Sequence, residues 1–239
     1  MEIKGKIAWI TGGSKGIGLA IAKSLLSAGI SVCITARSEA ELKTVSDQLN
    51  DQYEAKTLAM VCDVRNYVSC EKVVKSISEH FGQLDIVVAN AGVGHFSSIE
   101  NMSPEAWNET IDINLTGVFN TIKPSINLLK DSKGYIFTIA SLAGTNFFPT
   151  GSAYNASKFG LVGFSQAIML DLRAHGIKVS TLMPGSVSSY FNNHIPSDKD
   201  AWKIQPEDIG QLLVDLLKMH PRTLPSKVEI RPSIPPSKA

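Results

Sequence analysis

The junction near the start of the chain constrains its fold more than any other stretch. An apolar run, Lys6-Ile7-Ala8-Trp9-Ile10, leads into Thr11-Gly12-Gly13-Ser14-Lys15-Gly16-Ile17-Gly18 and then Leu19-Ala20-Ile21-Ala22. This order predicts a strand, a tight turn and a helix. Glycines let the backbone turn sharply and approach a ligand closely, and a helix that starts there aims its free N–H groups and positive dipole end at that ligand. The junction is therefore expected to bind an anion, a pyrophosphate above all. The glycine spacing, G-x-x-x-G-x-G, differs from the G-x-G-x-x-G of other dinucleotide-binding turns.

The same alternation continues along the chain. Apolar residues at helical spacing run from Ile17 to Ala28 and stop at Gly29, and Ile30 to Ala36 is an almost wholly apolar strand whose two faces should both be covered. Helices are expected over Ser38–Leu49, Val68–Phe81, Ser103 to about Leu129, Ser152–Ala174 and Pro206–Met219. Strands are expected over Lys56–Val61, Leu84–Ala89, Tyr135–Ala140, Lys178–Leu182 and Val228–Ile230. The fold class that follows is α/β, a single Rossmann-like doubly wound parallel sheet of about seven strands with helices on both faces. Ligands are then expected beyond the carboxyl ends of the strands. With 239 residues and 44% apolar content, the chain has material for one large core. Residues 1–239 are read as one dinucleotide-binding and catalytic domain, with 190–205 as a lid and 231–239 as an extended tail.

Composition narrows the function. Twenty-three basic against twenty-two acidic residues, a net charge of +1, come without any block of like charge, which argues against nucleic-acid and membrane partners. No stretch has the length or apolarity of a membrane span or a signal segment, so a cytoplasmic location is expected. Cys33, Cys62 and Cys70 show no C-x-x-C spacing and are expected as reduced thiols, two of them buried; no metal site is expected.

On Thr11-Gly12-x-x-x-Gly16-x-Gly18, Asn90-Ala91-Gly92, Ile111-Asp112-Ile113-Asn114-Leu115, Ser141, Tyr154-Asn155-Ala156-Ser157-Lys158 and Pro184-Gly185, the chain resembles the short-chain dehydrogenase/reductase family. These matches span residues 6 to 187. The resemblance implies hydride transfer between a nicotinamide and a carbonyl or secondary alcohol, with Tyr154 as general acid/base and Ser141 bonding the same oxygen. It gives Lys158 the nicotinamide ribose and the lowering of the tyrosine's pKa, and Asn114 a water that continues a proton path. On the residues alone, Tyr154 and Lys158 stand at i and i+4 on one helix face, and a nearby cation favours a phenolate.

The resemblance also assigns Gly12, Ser14, Lys15, Gly16, Ile17 and Gly18 to the pyrophosphate turn. It assigns Asp63 and Val64 to the adenine, Asn90, Ala91 and Gly92 to the turn beside the cofactor, and Pro184, Gly185 and Val187 to the carboxamide end. The second strand ends at Ala36-Arg37. An arginine there suits a 2′-phosphate, no carboxylate stands ready to repel one, and Lys15 adds a second positive charge, so NADP(H) is the expected cofactor. Ser188 and Ser189 replace the family's usual threonine. Phe147, Phe148, Phe191 and Trp202 suggest a pocket tolerant of apolar or aromatic groups, and His95 is expected as a solvated loop residue. The partner is expected to be a small-molecule carbonyl or alcohol, and the chain, by resemblance, a homodimer or homotetramer built on the two long helices. A 3-oxoacyl-[acyl-carrier protein] reductase activity and a non-catalytic NADP(H)-binding sensor or scaffold are the alternatives. An epimerase or dehydratase fits less well, because such proteins usually carry a longer C-terminal region.

Overall fold

The computed structural model describes residues 2–234. Seven strands, β1 (Ile7–Thr11), β2 (Ser31–Ala36), β3 (Thr57–Val61), β4 (Ile86–Ala89), β5 (Tyr135–Ile139), β6 (Lys178–Pro184) and β7 (Lys227–Ile230), form one sheet in the order β3-β2-β1-β4-β5-β6-β7. Every pairing is parallel. Parallel strands need crossovers, and the helices that supply them cover both faces.

Alternation along each strand divides the core in two. Ala8, Ile10, Val32, Ile34, Val88 and Phe137 point to the face covered by α1 (Gly16–Ser27), α2 (Glu39–Gln52) and α7 (Pro206–Lys218). Ile7, Trp9, Cys33, Val87 and Ile136 point to the face covered by α3 (Tyr67–Phe81), α5 (Gly117–Ser132) and α6 (Ser152–Leu172). Trp9 is fully buried, and its indole N–H donates to Thr35 Oγ1 at 3.1 Å, which removes the cost of burying that polar edge. Burial of each such large side chain contributes roughly 1.5–3 kcal/mol. All three cysteines are buried and free, one more than expected.

The sequence signals at the helix ends act as expected in most places. Ser38 accepts from Glu41 N–H as the cap of α2, Ser103 caps α4 (Pro104–Ile111), and Gly29 takes the left-handed φ of 79° just past α1. The region read as one helix to about Leu129 is instead three segments. Between α4 and α5 lies a π-helical turn, Asp112–Thr116, which opens the backbone ladder without changing the apolar pattern. Of the tail expected at 231–239, residues 231–234 follow β7 without helix or strand, and 235–239 lie outside the described residues.

The strand order reverses its direction of growth between β1 and β4. The crevice outside their carboxyl ends is where a doubly wound sheet holds its ligand.

Candidate active site

Two loops meet at that crevice and are locked together by side chains. Thr11 Oγ1 accepts from the backbone N–H groups of Asn90 and Ala91 at 3.0 and 3.1 Å, and Asn90 Nδ2 donates to the carbonyls of Thr11 and Gly12 at 2.8 and 3.2 Å. Asn90 thus braces the glycine turn. Gly12 and Gly16 have φ values of 66° and 56°, conformations that favour glycine. A Cβ on Gly18 would lie 2.3 Å from the Gly12 carbonyl oxygen and 2.6 Å from Asn90 Nδ2, so no side chain fits there. The start of α1 has neither a side-chain cap nor an acidic residue in its first turn. A cradle kept open by glycines at an uncapped helix N-terminus fits a pyrophosphate.

At the end of β2 and β3 the charges are denser than the sequence suggested. Arg37 is 60% exposed in its side chain and 3.9 Å from Glu109, a loose pair that leaves the guanidinium accessible. The expectation that no carboxylate stands nearby is corrected: Ser14 Oγ donates to Glu41 Oε2 at 3.0 Å, which brings the first turn of α2 against the glycine turn. Asp63 is held by Arg65, whose Nη2 lies 2.6 Å from Oδ2, and this bond keeps the Asp63 carboxyl below its usual range. Val64 is buried with its side chain against Gly117, and its carbonyl accepts from Asn120 Nδ2 at 2.8 Å. Lys15 is exposed at the mouth of the turn, and Ile17 is half-buried in the first turn of α1.

The four groups expected to do chemistry converge from β5, α6 and the π-helical turn. Ser141, just after β5, stands beside the Tyr154 phenol, accepts from the Ala143 N–H at 3.1 Å and donates to the Pro184 carbonyl at 3.4 Å. Tyr154 and Lys158 lie one turn apart on α6, with the ammonium nitrogen 5.7 Å from the ring centroid. Lys158 is buried, and its Nζ donates to the Ile139 carbonyl at 2.9 Å. Asn114 is fully buried within the π-helical turn. Its Oδ1 accepts from Val93 N–H at 2.8 Å, and its Nδ2 donates to Val93 O at 2.9 Å and Ser157 Oγ at 3.0 Å. Ser157 Oγ in turn donates to the Tyr154 carbonyl at 2.8 Å. A Cβ on Gly92 would sit 3.3 Å from Asn114 Oδ1 and 3.8 Å from Lys158 Nζ, so the missing side chain leaves room beside the ammonium for a ligand hydroxyl.

The expected acidification of Tyr154 by Lys158 is not what the protein's own groups produce. Burial pushes the phenol up to about 12, opposed by the Ser141 hydrogen bond, and burial pushes Lys158 down to about 8. Both shifts disfavour the charged form, as removal from water does. The phenol is thereby kept as a proton donor.

At the carboxamide end, Gly185 N–H donates to Ile230 O at 2.8 Å, and Val187 forms an isolated parallel bridge with Ile204. That bridge ties both ends of 190–205 together. Within the segment, Asp200 accepts from His194 at 2.6 Å, from Ser197 N–H at 3.1 Å and from Lys203 at 2.5 Å. His95 is not merely solvated: its Nε2 is 2.8 Å from Glu109 Oε2. Phe147 is 85% exposed and Trp202 packs under Lys203, whereas Phe148, Phe191 and the unanticipated Phe96 gather near Tyr154. Ser157, Arg65, Glu41 and Phe96 are the neighbours that sequence reasoning missed. Of these, only Ser157 and Arg65 adjoin a recognised motif. Among the described residues there is no cluster of side chains able to hold a metal ion, and no helix is long and apolar enough to cross a membrane.

Comparison with known proteins gives a consistent result. Residues 6–200 match the family described as short chain dehydrogenase. The chain is 31% identical over 237 residues to an uncharacterized oxidoreductase of Staphylococcus saprophyticus, covering 97% of this chain and 99% of that protein. It is 34% identical over 213 residues to a 3-oxoacyl-[acyl-carrier-protein] reductase of Salmonella typhimurium, covering 89% and 86%. Its fold is similar to that of an alcohol dehydrogenase from Thermococcus sibiricus complexed with 5-hydroxy-NADP, with a TM-score of 0.91, 30% identity, and coverage of 95% and 97% of the two chains.

Proposed function

This chain belongs to the short-chain dehydrogenase family, and from that premise we propose that it is an NADP(H)-dependent oxidoreductase acting on a carbonyl or secondary alcohol. The observation that carries the reading is the convergence of Ser141, Tyr154 and Lys158 beside a glycine cradle that fits a pyrophosphate. When bound, the nicotinamide dinucleotide supplies or accepts the hydride at the reacting carbon. Everything else falls to the protein. In reduction, the Tyr154 phenol gives its proton to the substrate oxygen, and Ser141 donates a hydrogen bond to that oxygen as its negative charge grows. Lys158 holds a ribose hydroxyl in the gap left by Gly92. Asn114 and Ser157 position Tyr154 by fixing the backbone of α6 against the loop after β4.

Gly12, Ser14, Gly16 and Gly18 are assigned to the pyrophosphate, Asp63 and Val64 to the adenine, and Pro184, Gly185 and Val187 to the carboxamide. Arg37 and Lys15 are assigned to a 2′-phosphate. The complex of the Thermococcus sibiricus alcohol dehydrogenase with 5-hydroxy-NADP supports that choice. Residues 1–239 act as one domain, with 190–205 as the lid. The exposed Trp107, Phe119, Phe159 and Leu170 on α4, α5 and α6 support a homodimer or homotetramer through that face. The likeness to the Salmonella typhimurium enzyme supports a second reading, reduction of a 3-oxoacyl group on a carrier protein. A cytoplasmic location accords with both.

Loss of NADPH absorbance over a panel of ketones, aldehydes and a 3-oxoacyl thioester tests the reading. Turnover that requires Tyr154 supports it; tight NADPH binding with no turnover of any carbonyl would leave a sensor or scaffold instead.

A further inference from the structure

Two aromatic rings from separate segments pack against the Tyr154 ring, and a third backs one of them. Phe96, in the loop after β4, lies 5.3 Å from Tyr154 edge-on, and Phe191, in the lid, lies 5.5 Å from Tyr154 and 6.3 Å from Phe96. Phe148 backs Phe96 at 5.9 Å. These separations fall in the range at which aromatic pairs attract.

The seat of Phe191 is shaped by an absence. A Cβ on Gly94 would lie 2.5 Å from Phe191 Cζ, 2.7 Å from its Cε1 and 3.0 Å from Phe96 Cε2. Any side chain at 94 would therefore displace the ring. The seat is a slot one phenyl ring in size, with Gly94 as its floor and Phe96 and Tyr154 as its walls. Phe191 reaches it from a short turn in which Asn192 and Asn193 both have left-handed φ, 54° and 58°. Those conformations are among the few in which asparagine is readily tolerated, and they set the direction of the ring.

The ionisable side chains on the segments that form the slot have partners within the protein. His95 is bonded to Glu109, His194 and Lys203 to Asp200, and Lys158 to the Ile139 carbonyl. A neutral ring in the slot disturbs none of these contacts.

We propose that the slot between Gly94, Phe96 and Tyr154 is an aryl subsite, filled in this structure by Phe191, and that the substrate is an uncharged ketone or aldehyde whose aromatic ring lies next to its carbonyl. The proposal rests on the carbonyl-reductase reading above. A carbonyl oxygen bonded by Tyr154 sits about 2.7 Å from the phenol oxygen. The seat of Phe191 lies 5.5 Å from the Tyr154 ring, centroid to centroid, so a short link between ring and carbonyl lets one molecule reach both. The lid must then carry Phe191 outward as substrate enters.

Acetophenone and cyclohexyl methyl ketone form a suitable pair of probes, equal in ring size and charge and different in aromaticity. With purified protein and NADPH, kcat/KM for acetophenone is expected to exceed that for cyclohexyl methyl ketone by roughly tenfold, the scale of one or two aromatic contacts. Phe96→Leu and Gly94→Val should each bring that ratio towards one, with melting temperature reporting that the variants fold. A wild-type ratio of one or less overturns the aryl subsite, and a ratio untouched by both substitutions overturns its location. Binding of 1-phenylethanol, read by saturation-transfer NMR in the presence of NADP+, separates the two readings. No binding sinks the subsite, whereas binding without any turnover supports the subsite and sinks the reductase assignment.

Discussion

Lys158 and Tyr154, one turn apart on α6 with the ammonium 5.7 Å from the ring centroid, are moved by burial in opposite directions on the pH scale, the lysine down to about 8 and the phenol up to about 12. Each is driven towards its neutral form. For the phenol this keeps the proton in place at neutral pH while making it a weaker acid, and for the lysine it is a cost that the fold bears.

That cost has a sign and a window. Below about pH 8 the lysine is charged both folded and unfolded, and the folded state carries the full penalty, roughly 3 kcal/mol from the downward shift out of the usual 10.5. As pH rises from about 8 towards 10.5, the unfolded chain binds a proton that the folded one has released, so stability rises. Lys158→Met is expected to raise the melting temperature of the ligand-free protein at pH 7 by roughly 6–12 °C, and the gap should close by pH 10. Melting curves of both proteins across that range check it; parallel pH dependences would show that Lys158 is not the titrating group.

Tyr154→Phe removes the proton donor and keeps the ring contacts with Phe96 and Phe191. Turnover should fall at least ~10²-fold, the lower end of what a positioned acid-base group contributes, while NADPH binding by fluorescence is largely retained. Near-normal kcat would remove Tyr154 from the chemistry.

Arg37→Asp replaces an accessible cation by an anion at the end of β2. The NADPH over NADH preference in kcat/KM should drop by roughly 10- to 100-fold, as expected for one charge-assisted hydrogen bond. Glu41→Gln should act in the opposite sense by a few-fold, about what an exposed charge pair contributes. An unchanged preference in both variants would take the 2′-phosphate away from this corner.

Asp200 ties the lid to itself through Lys203, His194 and Ser197, and the bonds from Lys203 and then His194 hold its carboxyl well below the usual range. It stays ionised at every ordinary pH, and the brace is lost only as acid protonates it. Asp200→Asn should make residues 190–205 the first site cut in limited proteolysis at neutral pH, with NADP+ slowing the cleavage. A cleavage pattern identical to that of the unaltered protein would show that other contacts hold the lid.

The sheet and its crossovers were legible because short, almost wholly apolar runs report strands covered on both faces and helical spacing reports which side of a helix is dry. The glycine turn was legible for a local reason: Gly12, Gly16 and Gly18 each answer a backbone or contact demand within the motif itself. The π-helical turn at 112–116 was not, since it changes which carbonyl each N–H meets and leaves the apolar spacing intact. Glu41 against Ser14 and Phe96 against Phe191 join residues far apart in the chain, so no local pattern announces them. The pairing of Asp63 with Arg65 spans only two residues and was open to reading. Phe147 and Phe148 show the limit from the other side, as neighbours with the same side chain, both exposed, of which Phe148 packs against Phe96.

The π-helical turn amounts to one surplus residue in an otherwise regular rod. Each residue of an α-helix advances the chain by about 100° around its axis. Cutting a single residue from Asp112–Thr116 would thus restore ideal geometry and at once swing either Asn114 away from Ser157 or Phe119 away from Phe164. The irregularity works as a gear tooth that keeps two helical surfaces in phase, and the length of this segment is set by mechanics as much as by chemistry.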